Sequence, residues 1–188
     1  IHHFFESIDH DIAKKIIDKL IKDKSVVSYV SDVINSFGDV GIGLGSQISQ
    51  LIALSYLNEM DHIIKEKFNI KYYVRYMDDF ILIDSNKSRL IECKKFIVDH
   101  IKELGLRLNR KTSLQQLRYG FMFLNWKFIL FNSGKIYMIQ NKKMLRSKRK
   151  KLRYMLKSNR INISTVDLTF TSMINHLQKG NSYKAINN

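Results

Sequence analysis

Residues 70–84 read Ile-Lys-Tyr-Tyr-Val-Arg-Tyr-Met-Asp-Asp-Phe-Ile-Leu-Ile-Asp, and no other stretch restricts the fold as strongly. Both halves are rich in β-branched and aromatic residues. They are interrupted only at Met77-Asp78-Asp79, so the pattern predicts two strands joined by a tight turn. Along a strand, neighbouring side chains point to opposite faces; at a tight turn that alternation breaks, and Asp78 and Asp79 can project toward one place. Two carboxylates that close repel unless a cation lies between them or one is protonated. Their hard oxygens suit Mg²⁺, which keeps waters and shares its remaining sites with phosphates. A pair of such ions about 4 Å apart can activate an attacking hydroxyl and stabilise a leaving phosphate oxygen. The competing reading is a solvated acidic turn, which Asp-Asp by itself would favour. The apolar flanks weigh against it, because Asn-Gly or Asp-Gly would better serve a plain hairpin.

Period and capping residues extend the map. Residues 1–5 are apolar and aromatic and are expected to be extended. Ser7 or Asp9 can cap a helix whose apolar face is Ile12, Ile16, Ile17, Leu20 and Ile21. A second helix is expected over 25–37, with Val26, Val30, Val33 and Ile34 inward. Residues 38–45 hold four of the eight glycines and form a loop. One long helix is expected over 46–68 and another over 87–104. Segments 106–108 and 121–131 read as strands, and Asn132-Ser133-Gly134 as a hairpin turn into 135–139. A basic helix over 141–157 and a last helix over 165–178, closed by Gly180, complete the chain. Helices and strands alternate irregularly around tight hairpins, which predicts α+β rather than a doubly wound parallel sheet.

Composition then limits function. The 188 residues are 45% apolar, ample for a core and against disorder. Proline is absent, and Cys93 is the single cysteine, so no disulfide framework or multi-thiolate metal site exists; a reducing, cytoplasmic setting is expected. No apolar run approaches the roughly 18 residues of a membrane span, so no membrane partner is expected. The formal net charge is +15, and residues 101–188 carry more than all of it, with 19 basic side chains against 2 acidic. Residues 141–160 hold ten basic side chains and no acid. Met144, Leu145, Leu152, Met155 and Leu156 give that helix one docking side. The other, with Lys142, Lys143, Arg146, Arg149, Lys150 and Arg153, is suited to tracking nucleic-acid phosphates.

Further motifs accompany the paired aspartates. Tyr76-Met-Asp-Asp79 resembles the active-site hairpin of reverse transcriptases, most of all the bacterial group of group II intron maturases, retron and diversity-generating enzymes. Ile1-His-His-Phe-Phe-Glu-Ser-Ile-Asp-His10 resembles the family's first catalytic strand. Gly45-Ser-Gln-Ile-Ser-Gln50, Leu104-Gly-Leu-Arg-Leu-Asn-Arg-Lys-Thr112 and Phe123-Leu-Asn-Trp126 resemble its later segments, in the family's order.

The resemblance implies a palm over 1–140, an antiparallel sheet packed on helices, followed by a basic helix and partial thumb over 141–188. It implies RNA-directed DNA synthesis with two Mg²⁺ ions, or Mn²⁺, on an RNA template, a DNA or RNA primer and deoxynucleoside triphosphates. Asp78, Asp79 and the Ile1 carbonyl would be metal ligands. Phe5 would be the ring that excludes a ribose 2′-hydroxyl, with Phe4 in the core. Gly45, Ser46 and Gln50 would line the incoming base pair, and Lys111 would face the leaving pyrophosphate. Tyr76, expected to pack beneath the hairpin, is grouped with Asn125 and Trp126 at the nucleic acid. Asp9 and His10 are expected at a helix start rather than as ligands. Two departures stand out. The family's first catalytic aspartate would directly precede Ile1, and its fingers lie upstream. The chain is therefore expected to be a piece of a longer polymerase and inactive alone. Leu44 and Asn125 stand where many relatives have Gln and Gly. The alternative is an RNA-binding splicing cofactor or scaffold, with structured RNA or an accessory protein as partner; the oligomeric state stays open.

Overall fold

The paired aspartates do lie at a hairpin. In the computed structural model, which describes residues 1–157 and 163–180, β1 (Tyr72–Tyr76) and β2 (Asp79–Ile83) pair antiparallel. Tyr76 stands opposite Asp79, so Met77 and Asp78 alone make the turn. The fold is α+β.

Residues 1–114 form one compact unit. α1 (His10–Leu20) starts at Asp9, whose carboxylate accepts the Ile12 N–H at 2.9 Å, so Asp9 is the cap and not Ser7. α2 (Lys24–Asn35) is capped by Asp23 and buries Val30 and Ile34; Val26 is exposed and Val27 packs inward instead. The single helix expected over 46–68 is broken. α3 (Gln47–Tyr56) stops at Leu57, α4 (Asn58–His62) follows, and Ile63–Lys67 is a wider π-helical turn. The apolar sequence runs on through the break because Leu57, Met60 and Ile64 are all buried in one core. α5 (Lys87–Glu103), capped by Asn86, adds Cys93, Ile97 and Ile101 to that core.

Two expected strands are not regular strands. In the first segment His3 adopts φ 46°, Phe4 is helical, and Phe5–Ser7 is a short 3₁₀ turn. Segment 106–108 is likewise irregular. The His2 N–H still donates to the Arg107 carbonyl at 2.9 Å, and the Ile1 nitrogen to the Asp78 carbonyl at 3.1 Å. The opening residues thus lie between the hairpin turn and Arg107, tied by one bond to each.

Residues 115–188 form the second unit. β3 (Phe121–Phe123), β4 (Trp126–Leu130) and β5 (Ile136–Gln140) make an antiparallel meander. Leu124 and Asn125 join the first two strands with both φ values positive, the signature of a type I′ turn. Asn tolerates that conformation almost as Gly does, which accounts for Asn125 in this place. The sheet groups with α6 (Lys142–Lys157) and α7 (Ile163–Gln178) because Trp126 packs on His176, with ring centroids 5.0 Å apart, and closely against Gly180. The compact units divide at 114/115. Leu152 and Met155 of α6 are buried with Val166, Met173 and Leu177 of α7. Leu156 is 67% exposed and does not belong to the docking stripe. Leu145 lies outside the described side chains.

Candidate active site

The turn that carries Asp78 is unusual in its backbone. Among its two residues only Met77 has positive φ, 54°. That is the pattern of a type II′ hairpin, where glycine is the usual occupant of the first position. A side chain there costs about 1–3 kcal/mol and persists only where the surroundings fix it.

The fixing groups come from the same strand and from the broken helix. Tyr73 and Arg75 lie on the inward face of β1. The Arg75 Nη1 donates to the Met77 carbonyl at 3.1 Å, and Nη2 donates to the Leu54 carbonyl in the last turn of α3 at 3.2 Å. Its Nε donates to both oxygens of Asp61 in α4, at 2.8 and 3.0 Å, and Nη2 makes a further short contact to Asp61 Oδ2. The Tyr73 hydroxyl donates to Asp61 Oδ1 at 2.6 Å. Burial, reinforced by Asp61, pushes the Tyr73 hydroxyl far above the ordinary tyrosine range. Burial by itself would lower the Arg75 guanidinium, but the hydrogen bonds and charge of Asp61 outweigh it and hold it above its usual value.

Asp78 and Asp79 are outside this network. The Asp78 side chain is 37% exposed, with Oδ2 3.9 Å from the Ile1 nitrogen. Asp79 is exposed and, among the described residues, its carboxylate has no hydrogen-bond or ion-pair partner. Two accessible carboxylates on adjacent residues offer hard oxygen donors of the kind that suit a divalent cation; the Ile1 atom beside Asp78 is its nitrogen, a hydrogen-bond donor and not a ligand. Among the described residues no group of three or more His, Cys, Asp or Glu side chains is arranged so that it could hold a metal ion.

The other expected residues are distributed as follows. Phe4 is buried at 3% exposure and Phe5 half-buried, with ring centroids 5.5 Å apart. A bend, rather than the pleat of a strand, separates their fates. The Phe5 carbonyl accepts the Ile42 N–H, and the Ile8 carbonyl the Gly41 N–H, both at 2.8 Å. This lays residues 5–8 along the glycine loop that leads to Gly45. Gly45 is at φ 95° with open space beside it, and Gln50 is exposed. Ser46 occupies the N-cap position of α3, but its hydroxyl makes no capping bond. Lys111 is exposed beyond a small turn in which its N–H meets the Asn109 side chain. Tyr76 does not pack beneath the hairpin: it is 60% exposed, on the open face with Tyr72 and Val74. Asp9 and His10 are helix-start residues as expected, and the His10 Nε2 meets the Gly41 carbonyl at 2.6 Å.

In the second unit Asn125 is exposed in its turn, whereas Trp126 is buried at 7% exposure. Arg146, Lys150 and Arg153 are exposed on α6 and Arg149 is half-buried; the side chains of Lys142 and Lys143 lie outside the described residues.

The family model described as Reverse transcriptase (RNA-dependent DNA polymerase) matches residues 1–155. The chain belongs to the reverse transcriptase family. No curated protein is a significant match to it. Among the described residues of this reverse transcriptase chain, no helix is long and apolar enough to cross a membrane.

Sequence patterns had not singled out Tyr73, Arg75 or Asp61. The one available signal was parity: Tyr73 and Arg75 share a strand face, and a charged residue on the inward face of an apolar hairpin needs a partner.

Proposed function

We propose that this chain carries the catalytic carboxylates of an RNA-directed DNA polymerase of the bacterial type. The primer 3′-hydroxyl attacks the α-phosphate of a deoxynucleoside triphosphate on an RNA template, and pyrophosphate leaves. Asp78, Asp79 and the Ile1 carbonyl would hold two Mg²⁺ ions, or Mn²⁺, which would supply hydroxyl activation and charge neutralisation when bound. Phe5 limits the space at the sugar. Gly45, whose open surroundings allow close backbone approach, leads with Ser46 and Gln50 to the base pair. Lys111 offers a cation, and a proton, to the leaving pyrophosphate. Tyr76 and Asn125 are presented to nucleic acid, and Trp126 supports the turn that presents Asn125. The basic face of α6 tracks phosphates in a sequence-independent way. The single cysteine, Cys93, is the ground for expecting a reducing cytoplasmic setting.

The observation that carries this reading is the pair of accessible carboxylates on the Met77-Asp78 turn and its first strand residue, within a family match of residues 1–155. The deciding experiment is primer extension on an RNA template by the intact gene product. Asp78→Asn and Asp79→Asn should each lower the rate by about a hundredfold or more without lowering the melting temperature. Undiminished synthesis by either variant would overturn the assignment. The density of positive charge on α6 favours a second role as an RNA-binding splicing cofactor or scaffold. That role alone would leave tight RNA binding with no synthesis in the intact protein.

A further inference from the structure

Arg75 does more than neutralise Asp61. One guanidinium bonds three different pieces of backbone or side chain: the Met77 carbonyl of the hairpin turn, the Leu54 carbonyl of α3 and the Asp61 carboxylate of α4. The Arg75 side chain is 9% exposed and that of Asp61 25%; the bonds to Asp61 and Met77 are partly buried, and the bond to Leu54 is exposed. Each partner uses a different property of the group. The Asp61 carboxylate fixes the plane of the guanidinium. The Leu54 carbonyl, one of those left without an intrahelical partner at the end of α3, takes one Nη2 hydrogen. Nη1, on the far side of the fork, is then aimed at the carbonyl of the positive-φ residue directly before Asp78. Lysine has one nitrogen and cannot span these acceptors together.

We propose that Arg75 is a positioning residue for the carboxylates, holding the Met77 turn against the α3–α4 break so that Asp78 and Asp79 keep one mutual geometry. Asp61 and Tyr73 act through Arg75, fixing its guanidinium. The same guanidinium couples the turn to the helix that Gly45 and Ser46 open. The break in the long helix thereby gains a purpose. A continuous helix would satisfy Leu54 internally and would carry Asp61 to another azimuth. This role rests on Asp78 and Asp79 being the metal ligands.

The test uses the intact polymerase with Arg75→Lys, Asp61→Asn and Asp78→Asn. Mn²⁺ binding is followed by electron paramagnetic resonance, alongside primer extension and thermal melting. Arg75→Lys should fold, weaken Mn²⁺ binding and lower kcat by about tenfold to a hundredfold, with little change in KM for the nucleotide. Asp61→Asn should move both readouts in the same direction, and the double variant should lose no more than the worse single variant. Arg75→Lys with wild-type Mn²⁺ affinity and kcat overturns the positioning role, provided Asp78→Asn abolishes both. A lower melting temperature with unchanged Mn²⁺ binding also overturns it, since that is what a merely structural ion pair would give. If Asp78→Asn itself leaves Mn²⁺ binding and synthesis intact, the assignment of the metal ligands fails instead.

Discussion

Adjacent residues in this chain often have different work, and single substitutions separate them. Phe4 is sealed in the core beside Tyr56, while Phe5 is half-buried beside the glycine loop. Phe4→Ala should cost about 3–5 kcal/mol in denaturant unfolding, from the transfer energy removed and the cavity left behind. Phe5→Val in the intact polymerase should instead raise ribonucleotide incorporation about tenfold or more, read by competing ribo- and deoxynucleotides. Tyr56 shows how a buried polar group is used. Its hydroxyl donates to the Leu104 carbonyl at 2.8 Å and accepts the Asp9 N–H at 3.3 Å, joining the start of α1 to the end of α5. Burial pushes the hydroxyl up to about 12 from an ordinary 10.0. The unfolded chain therefore ionises first as pH rises. The stability tied to this proton is complete below pH 10 and is lost as pH climbs through about 12. Tyr56→Phe should cost about 1–2 kcal/mol at neutral pH. It should also show a shallower loss of stability than the parent between these two pH values, measured by urea unfolding at a series of pH.

Elements differ in how much of their character is local. The β1–β2 hairpin and α6 were both legible in the sequence, because alternation, turn residues and a one-sided apolar stripe are properties of short windows. The opening segment was not, since its apolar composition suits a strand but its backbone bends at His3 to put Phe4 in the core. The break at Leu57 was equally hidden: apolar spacing continues across it, and its partners Arg75 and Asp61 belong to the tertiary structure. For α6 the consequence is electrostatic. Leu152 and Met155 dock on α7 while Lys150 and Arg153 stay exposed. Replacing Lys150 and Arg153 with Gln should weaken RNA–DNA duplex binding nearly uniformly across sequences. It should also reduce the slope of log K against log salt by about one for each phosphate no longer neutralised. A fluorescence-anisotropy salt titration measures both, and an unchanged slope would remove α6 from the duplex interface.

At the scale of the molecule, charge and chemistry are segregated along the chain, with acidic turn residues in the unit 1–114 and most of the basic excess in 115–188. Polypeptide 1–188 should bind an RNA–DNA duplex in a salt-sensitive manner, and salt-independent binding would refute this. The sequence alone determined the α+β class, the hairpin at Asp78-Asp79, the family motifs in order and the basic helix. Each is written in a few consecutive residues, where strand period, turn preference and charge act locally. The tertiary structure alone decided that Arg75 holds the Met77 turn through Asp61 and Leu54, that Trp126 is buried against α7, and that Tyr76 faces outward. Those outcomes depend on which distant groups share a desolvated space, and a polar side chain's partner is chosen only when the core closes around it.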